Sequence, residues 1–141
     1  MQIRTAIESD YKPLMKLYNA FVGSDRYSGY DNDSFQKVIK NPQNYVFVAE
    51  EDNILIGFVT FSIRNVIRYP KQIAELDELY VDTNHRKKGI GKLFMRAVEE
   101  KAKDLNCYRL YIESHYDHKG AHVFYESLGY TNYGYHFMKN L

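Results

Sequence analysis

The sequence predicts a mixed α/β fold, in which an antiparallel sheet from the first half of the chain continues into a β-α-β unit in the second half. Two runs rich in β-branched and aromatic residues, 45–49 and 54–63, flank the polar segment 50–53 and predict a β-hairpin. A strongly amphipathic helical pattern at 90–105 precedes another strand-like run at 108–113. Because a crossover helix joins parallel strands, we expect the fourth and fifth strands to be parallel and the earlier ones antiparallel.

Local signals place the remaining elements around this framework. Pro13 lies in the first turn of a helix that Ser9 or Asp10 caps, and Pro42 ends a second short helix. The segment from Gly23 to Asp33 is rich in Gly, Ser, Asp and Tyr and predicts a mobile loop. In chain order, the predicted elements are a strand at 2–7, a helix after Ser9 or Asp10, a helix at about 34–40, strands at 45–49, 54–63 and 74–81, a helix at 90–105, a strand at 108–113, a helix at 118–128, and a strand or hairpin at 130–138.

Two finer expectations concern packing on the sheet. Gly57 lies inside the second strand of the hairpin and predicts a β-bulge, which interior strand glycines often mark. The helix at 90–105 is expected to turn one apolar face toward the sheet. That face consists of Ile90, Leu93, Phe94, Ala97, Val98, Ala102 and Leu105.

Composition indicates a single domain, 1–141, with a substantial core. The chain has 141 residues, of which 45% are hydrophobic, and a formal net charge of +1. Such a small net charge predicts neither a nucleic-acid partner nor a membrane partner. Cys107 is the only cysteine, which excludes an internal disulfide framework and fits a reducing compartment. With no leader-like segment and no apolar run of about 18 residues, a cytoplasmic protein is expected.

The strongest functional motif is a basic turn that follows the strand at 74–81 and opens the helix at 90–105. Its sequence is Arg86-Lys87-Lys88-Gly89-Ile90-Gly91-Lys92. Glycines let backbone N–H groups converge, the helix N-terminus adds partial positive charge, and the flanking cations complement a phosphate. The turn therefore predicts a bound phosphorylated cofactor.

Three blocks in order resemble the GCN5-related N-acetyltransferase (GNAT) superfamily. The turn matches every fixed position of that family's Arg/Gln-x-x-Gly-x-Gly/Ala signature, and Leu79-Tyr80-Val81 has its Leu-x-Val spacing. Downstream, the segment 121–130 is similar to its Ala-x-x-Phe-Tyr-x-x-x-Gly-Phe block. The resemblance implies the GNAT fold, a mixed central sheet flanked by helices, and acetyl transfer from acetyl-CoA, without a metal, to an amine.

The resemblance also implies how the chain holds acetyl-CoA. Backbone amides of the turn would bind the pyrophosphate, three of its lysines would add charge, and N–H groups freed by a bulge in the fourth strand would hold the pantetheine arm and polarise the thioester. His118 stands where the family often has an Asn that contacts this arm, and an imidazole can donate the same kind of hydrogen bond. The cofactor positions are Leu79, Tyr80, Val81, Arg86, Lys87, Lys88, Gly89, Ile90, Gly91, Lys92 and His118.

Acyl transfer to an amine also needs a proton acceptor and a proton donor. Tyr125 matches the tyrosine with which many family members protonate the coenzyme A thiolate, and the alternative is a purely structural core tyrosine. The fourth strand carries Glu75, Asp77 and Glu78. Because buried carboxylates are costly unless paired or solvated, at least one is expected to face a water-filled cleft.

Strand alternation places Glu75 and Asp77 on one face and Glu78 on the other, unless a bulge shifts the register. Glu78 and Asp77 resemble the acidic pair of polyamine acetyltransferases, and Glu75 resembles the base of histone acetyltransferases. We favour Glu78 and Asp77 for amine binding or water-relayed deprotonation, and surface salt bridges are the alternative. These acids imply a cationic substrate.

The sequence thus predicts an N-acetyltransferase that acts on a small cationic primary amine, polyamine-like or aminoglycoside-like, by direct transfer in a ternary complex. The alternatives are a protein or peptide N-acetyltransferase and a non-catalytic acyl-CoA-binding module. His115, His118 and His122 form an incomplete metal pattern, so no metal is expected. The segment 21–30 is expected near the acceptor pocket, and the aromatic end at 130–137 is expected to support a homodimer.

Overall fold

The computed structural model describes residues 1–23 and 31–141, which form two compact units, 1–111 and 112–141. Short 3₁₀ turns at Glu8–Asp10 and Thr83–His85 supplement the regular elements. The strands are β1 (Gln2–Thr5), β2 (Asn44–Glu51), β3 (Ile54–Arg64), β4 (Ile73–Val81) and β5 (Leu110–Ile112), and the helices are α1 (Tyr11–Val22), α2 (Asn32–Lys40), α3 (Ile90–Asp104) and α4 (Lys119–Ser127).

The sheet has the order β1-β2-β3-β4-β5. Its first three strand pairs are antiparallel, and β4 and β5 are parallel, which confirms the predicted fold class. Pairing between the last two strands starts where the Tyr108 N–H donates to Gln72 O at 2.8 Å and the Ala74 N–H donates to Arg109 O at 2.9 Å. Within the described ranges, no helix is long and apolar enough to cross a membrane.

The β2–β3 hairpin closes as the sequence predicted. Asp52 and Asn53 have φ angles of 52° and 62°, and Glu51 pairs with Ile54 across them. Two consecutive left-handed residues match the twist of a two-residue hairpin turn, and Asp and Asn tolerate that conformation better than most residues.

Helices pack on both faces of the sheet in the first unit. Leu14 and Leu17 of α1 and Phe35 of α2 are buried against strand residues that include Phe58. On the opposite face α3 buries its own apolar stripe, which centres on Phe94. The sheet is therefore covered by α1 and α2 on one side and by α3 on the other.

One prediction for the inward face of α3 is wrong. Leu93 is 38% exposed, whereas Met95 is 1% exposed and fills the core in its place. The buried stripe follows Ile90, Phe94 and Val98 at intervals of four residues, and Leu93 lies at its margin.

Gly57 lies beside a bulge, and the close packing around it leaves no space for a side chain. The register of β2 with β3 shifts between Ala49–Gly57 and Glu50–Leu55, which leaves Ile56 as the extra residue. A Cβ atom on Gly57 would lie 2.7 Å from the Tyr80 carbonyl oxygen and 3.1 Å from a ring carbon of Phe94. Gly57 thus lets β4 and α3 approach β3 closely.

The second unit contains α4 but lacks the strand predicted at 130–138. Residues 131–141 have no regular secondary structure and are exposed. The alternating aromatic residues of this segment have a high β-propensity, but a strand also needs a neighbouring strand to bond its backbone. Of the loop predicted from Gly23 to Asp33, residues 24–30 lie outside the described chain.

Gly57→Ala is expected to lower the free energy of unfolding by about 1–3 kcal/mol, since the new methyl group would overlap a backbone carbonyl that cannot rotate away. Urea unfolding measures the change. Gly134→Ala is the control, because no heavy atom lies within 4 Å of its added Cβ. We expect that control to stay within about 0.5 kcal/mol of the parent; equal effects of the two substitutions would contradict the close approach.

Candidate active site

A β-bulge in β4 organises the acidic residues. Thr60 pairs with Glu78 and Phe61 pairs with Leu76, so Asp77 is the extra residue. Glu75 pairs with Ser62, which shares a face of β3 with Thr60. The bulge therefore puts Glu75 and Glu78 on one face of the sheet, whereas strict alternation would have placed them on opposite faces.

Glu78 and Asp77 line a cavity of about 380 Å³ on the face of the sheet that α1 and α2 cover. Helix α1 contributes Met15 and Tyr18 to its wall, and α2 contributes Phe35. The described part of the wall is mostly apolar, and its acidic residues are these two neighbours in the bulge. The cavity has the size and character of a small-molecule site.

The environment of Glu78 favours the neutral carboxyl group. Burial, and secondarily the nearby charge of Asp77, raise the pKa of Glu78 from 4.5 to about 7. A group with a pKa near the operating pH suits proton transfer, because both protonation states are populated. Glu78 is therefore the carboxylate best placed to bind an ammonium group and take a proton from it.

Thr60 holds this carboxylate in place, and the sequence analysis did not single it out. Its Oγ1 accepts the backbone N–H of Glu78 at 3.1 Å and also hydrogen-bonds Oε2 of the same residue. One hydroxyl thus fixes both the backbone and the side chain of Glu78. The available signal was a polar residue inside the apolar run at 54–63.

Glu75 has a different environment from Glu78. Its Oε2 accepts hydrogen bonds from Arg64, from Nη2 at 2.8 Å and from Nε at 3.1 Å. The positive charge of Arg64 thus compensates the negative charge of Glu75. The role of Glu75 as a base stays a prediction, and its pairing with Arg64 disfavours it.

The basic turn joins β4 to α3 with two left-handed residues. Lys87 has a φ of 60° and Gly89 a φ of 83°, and the first bond inside α3 runs from the Leu93 N–H to Gly89 O at 3.1 Å. The N–H groups of a first helical turn precede the intrahelical bonding pattern and are available to an anion. Lys87 and Lys88 are exposed beside them, so the turn fits a pyrophosphate.

Arg86 connects this turn to the end of β4. Its Nε donates to the Val81 carbonyl oxygen at 3.0 Å, and its guanidinium carbon lies 5.5 Å from the centroid of the Tyr80 ring. Tyr80 is buried, and its ring contacts Phe58 and Phe21. Leu79, Tyr80 and Val81 pair with β3 directly after the bulge, which lies at Asp77 and not among them.

Tyr125 and His118 belong to the second unit. Tyr125 is half-buried in α4, and burial raises the pKa of its phenol. His118 precedes α4 and caps it through its carbonyl oxygen, which accepts the Ala121 N–H at 2.9 Å, while its imidazole makes no capping bond. The imidazole of His118 is therefore not used by the helix cap.

Apart from Glu75, which pairs with Arg64, the predicted site residues fall into three described groups: Asp77 with Glu78 at the cavity, the turn with the end of β4, and Tyr125 with His118 around α4. Among residues 1–23 and 31–141, no group of three or more His, Cys, Asp or Glu side chains is arranged to hold a metal ion. The segment 21–30, expected near the acceptor, lies mostly outside the described residues.

Sequence comparison assigns the family. Residues 9–130 match the profile of the Acetyltransferase (GNAT) family. The chain belongs to this family, whose enzymes transfer an acetyl group and generally use acetyl-CoA. The predicted family is confirmed.

Two curated relatives are uncharacterised N-acetyltransferases. One, from Methanocaldococcus jannaschii, is 28% identical over 134 residues, which are 91% of this chain and 59% of that protein. The other, YhfO of Bacillus subtilis, is 28% identical over 137 residues, 92% of this chain and 89% of the relative. The chain therefore spans less than two thirds of the first relative's length.

Solved structures share the fold over the whole chain. An aminoglycoside acetyltransferase from an uncultured soil metagenomic sample, in complex with trehalose, superposes with a TM-score of 0.89 and 26% identity, over 99% of this chain and 95% of its own. A ribosomal-protein-alanine N-acetyltransferase from Brucella melitensis biovar Abortus has a TM-score of 0.83 and 18% identity, over 100% of both chains. At that identity the second likeness concerns the fold alone.

Glu78→Gln is expected to change the pH dependence of stability. In the folded chain the pKa of Glu78 is about 7, above the ordinary 4.5, so folding favours the protonated carboxyl group. This contribution is complete below pH 4.5 and is lost as the pH rises through 7, whereas the substituted amide does not titrate. Urea unfolding should show that the variant gains about 1–3 kcal/mol on the parent between pH 5 and pH 8.

The control is Glu75→Gln, the same substitution on the same face of β4 at a carboxylate that Arg64 pairs. This variant retains Glu78 and should keep the parent's decline in stability between the two pH values. A constant difference between the parent and Glu78→Gln at both pH values would rule out Glu78 as the titrating group.

Proposed function

We propose that this chain N-acetylates a primary amine of a small cationic molecule, with acetyl-CoA as the donor and both substrates bound together. The observation that carries the proposal is Glu78, a largely buried glutamate with a pKa of about 7 at the acidic end of a ligand-sized cavity. A carboxylate there attracts an ammonium group and then accepts its proton. The small-molecule class is further supported by the aminoglycoside acetyltransferase neighbour at 26% identity.

The residues of the turn and of β4 are those that would hold acetyl-CoA. Backbone N–H groups from Lys88 to Lys92 would bind the pyrophosphate, with charge from the lysine side chains. The backbone of Leu79, Tyr80 and Val81 would bind the pantetheine arm, and His118 would supply an additional hydrogen bond to it. The bound donor supplies an acetyl group activated as a thioester.

In the proposed reaction the bound ammonium first gives a proton to the Glu78 carboxylate, from which the proton passes to solvent. The free nitrogen then bonds to the acetyl carbonyl carbon, and the carbon–sulfur bond breaks. Tyr125 donates a proton to the departing thiolate and is reprotonated by the second proton that the nitrogen releases through solvent. Asp77 lies beside Glu78 and adds attraction for the cation before transfer.

We also propose an oligomeric state and a cellular location for the protein. Exposed aromatic residues at Tyr133, Tyr135 and Phe137 support a homodimer formed through the C-terminal segment. The single cysteine supports a cytoplasmic location. A peptide acceptor is the second candidate function, but the ligand-sized cavity favours a small molecule.

Gly89→Asp is expected to raise the Kd of acetyl-CoA by about tenfold or more, equivalent to about 1.4 kcal/mol. The substitution strains a φ of 83° and places a negative charge at the turn proposed to bind the pyrophosphate. Isothermal titration without an amine measures this affinity. Gly23→Asp is the matched control, because Gly23 has a φ of 70° at the C-terminus of α1 and takes the same added charge outside the turn. Equal Kd values for both variants would remove the turn from the binding site.

A thiol-release assay with acetyl-CoA and a panel of primary amines tests the proposed activity. The parent should release thiol only when an amine is present, and its kcat/KM should rise with pH through about 7 as Glu78 ionises. Glu78→Gln should lower kcat/KM by about 100-fold and abolish that rise, since general base catalysis contributes about 10²–10⁴-fold.

Tyr125→Phe tests the proposed proton-donating role of Tyr125 separately from acetyl-CoA binding. The variant should lose kcat while its Kd for acetyl-CoA stays near the parent value, because only the phenol proton is removed. Unchanged turnover would exclude Tyr125 as the acid. No amine-dependent thiol release from a protein that binds acetyl-CoA would support the non-catalytic module instead.

A further inference from the structure

We propose that the cavity beside Glu78 selects acceptors with a single ammonium group on an apolar, preferably aromatic, body, and discriminates against polycations such as polyamines and aminoglycosides. This inference rests on the proposed function and names the substrate class of the same site. It narrows the acceptors that the sequence suggested, since those carry several positive charges.

The negative charge around the cavity is concentrated at one end. Among the described residues that line it, the acidic ones are Asp77 and Glu78, which are adjacent in the bulge of β4. Both carboxylates therefore lie at one end of the cavity. The described lining thus offers a place for one ammonium group at its β4 end.

The chemistry of the remaining wall is the second argument. Asn44, Thr60 and Tyr18 are lining residues that are polar without a negative charge. The larger part of the described lining is apolar and includes Leu14, Met15, Phe35, Val38 and Phe58. A second ammonium group held against this wall would lose its hydration without gaining a counter-ion, which is costly. Uncompensated charge of this kind is how a site rejects a competing ligand.

Flat side chains shape this apolar part. Phe35 packs against Tyr11 with ring centroids 5.6 Å apart, and the Tyr18 ring lies 6.0 Å from that of Phe58. Rings held by other rings form rigid walls against which a planar ligand packs well. An aromatic amine therefore gains contact area that a flexible polar chain does not.

The volume agrees with a compact acceptor. About 380 Å³ lies near the lower end of the range for small-molecule sites, which is about 300–1,000 Å³. A single ring with a short aminoalkyl chain fits such a space, whereas a molecule of several linked sugar rings would extend beyond it. Size and charge thus favour the same class.

The decisive experiment compares acceptors that differ only in their second charge. Pentylamine and 1,5-diaminopentane have the same chain length, and 2-phenylethylamine adds the ring. In the thiol-release assay, kcat/KM for pentylamine should exceed that for the diamine by about tenfold or more, and 2-phenylethylamine should be better still. Spermidine and kanamycin should be poorer than the monoamines. The values are compared at equal acetyl-CoA saturation and pH.

A variant that supplies the missing counter-charge tests the cause. Met15 lines the apolar wall from α1 and is half-buried, so Met15→Glu introduces a second carboxylate in the wall. The ratio of kcat/KM for the diamine to that for pentylamine should rise about tenfold in this variant. Met15→Gln has the same shape without the charge and should leave the ratio near the parent value.

The outcomes separate the two proposals. Acetylation of the polyamine or the aminoglycoside at a kcat/KM equal to or above that of the monoamines would overturn the inference and leave the proposed function intact. An unchanged ratio in Met15→Glu, or an equal rise in Met15→Gln, would show that charge in the wall does not set the preference. Absence of turnover with every amine would overturn the proposed function itself.

Discussion

The bulge at Asp77 is the constraint on which the rest of the candidate site depends. One extra residue in β4 aligns Glu78 with Thr60 and turns its carboxylate to the face that α1 and α2 cover. Without the bulge, regular alternation through Asp77 would direct Glu78 to the same face as Leu76, against α3, where a carboxylate would face the apolar core. Thr60 completes the arrangement because its hydroxyl bonds the backbone and the side chain of Glu78 at once.

The surrounding sheet accommodates the bulge with little disturbance of its hydrogen bonding. The β3–β4 register resumes on both sides of Asp77, from Phe61 with Leu76 and from Thr60 with Glu78, so the ladder is disturbed at a single position. On the other face, Gly57 lets Phe94 pack close against the same strands. Tight packing on the α3 face thus supports β4 beneath the cavity where chemistry is proposed.

Most of the fold could be predicted from the sequence because its signals are local. The hairpin turn, the proline and glycine positions and the 3.6-residue pattern of α3 each leave a mark in adjacent residues. The missing strand at 130–138 shows where this fails, since a strand depends on a partner that local sequence does not specify. Leu93 is exposed and Met95 is buried, contrary to the prediction, for a related reason. Which residues at the edge of the apolar stripe are buried depends on how the helix is rotated against the sheet.

The candidate site was predictable in part. The turn at Arg86–Lys92 and the acidic residues were visible as residue types at given spacings, but which carboxylate enters the cavity depends on a register shift across two strands. The ion pair of Arg64 with Glu75 and the bond of Thr60 to Glu78 join residues 11 and 18 positions apart. Such pairings become apparent only once the strands are aligned.

The near-neutral pKa of Glu78 has a consequence for ligand uptake. At neutral pH a substantial fraction of the chain carries this glutamate as an uncharged acid, which suits an apolar cavity. The proposed ammonium group would favour the carboxylate and displace that proton, so cation uptake and proton release would be thermodynamically linked. Binding of a cation would thus increase the ionised fraction of Glu78, and the heat of binding would depend on the buffer that receives the proton.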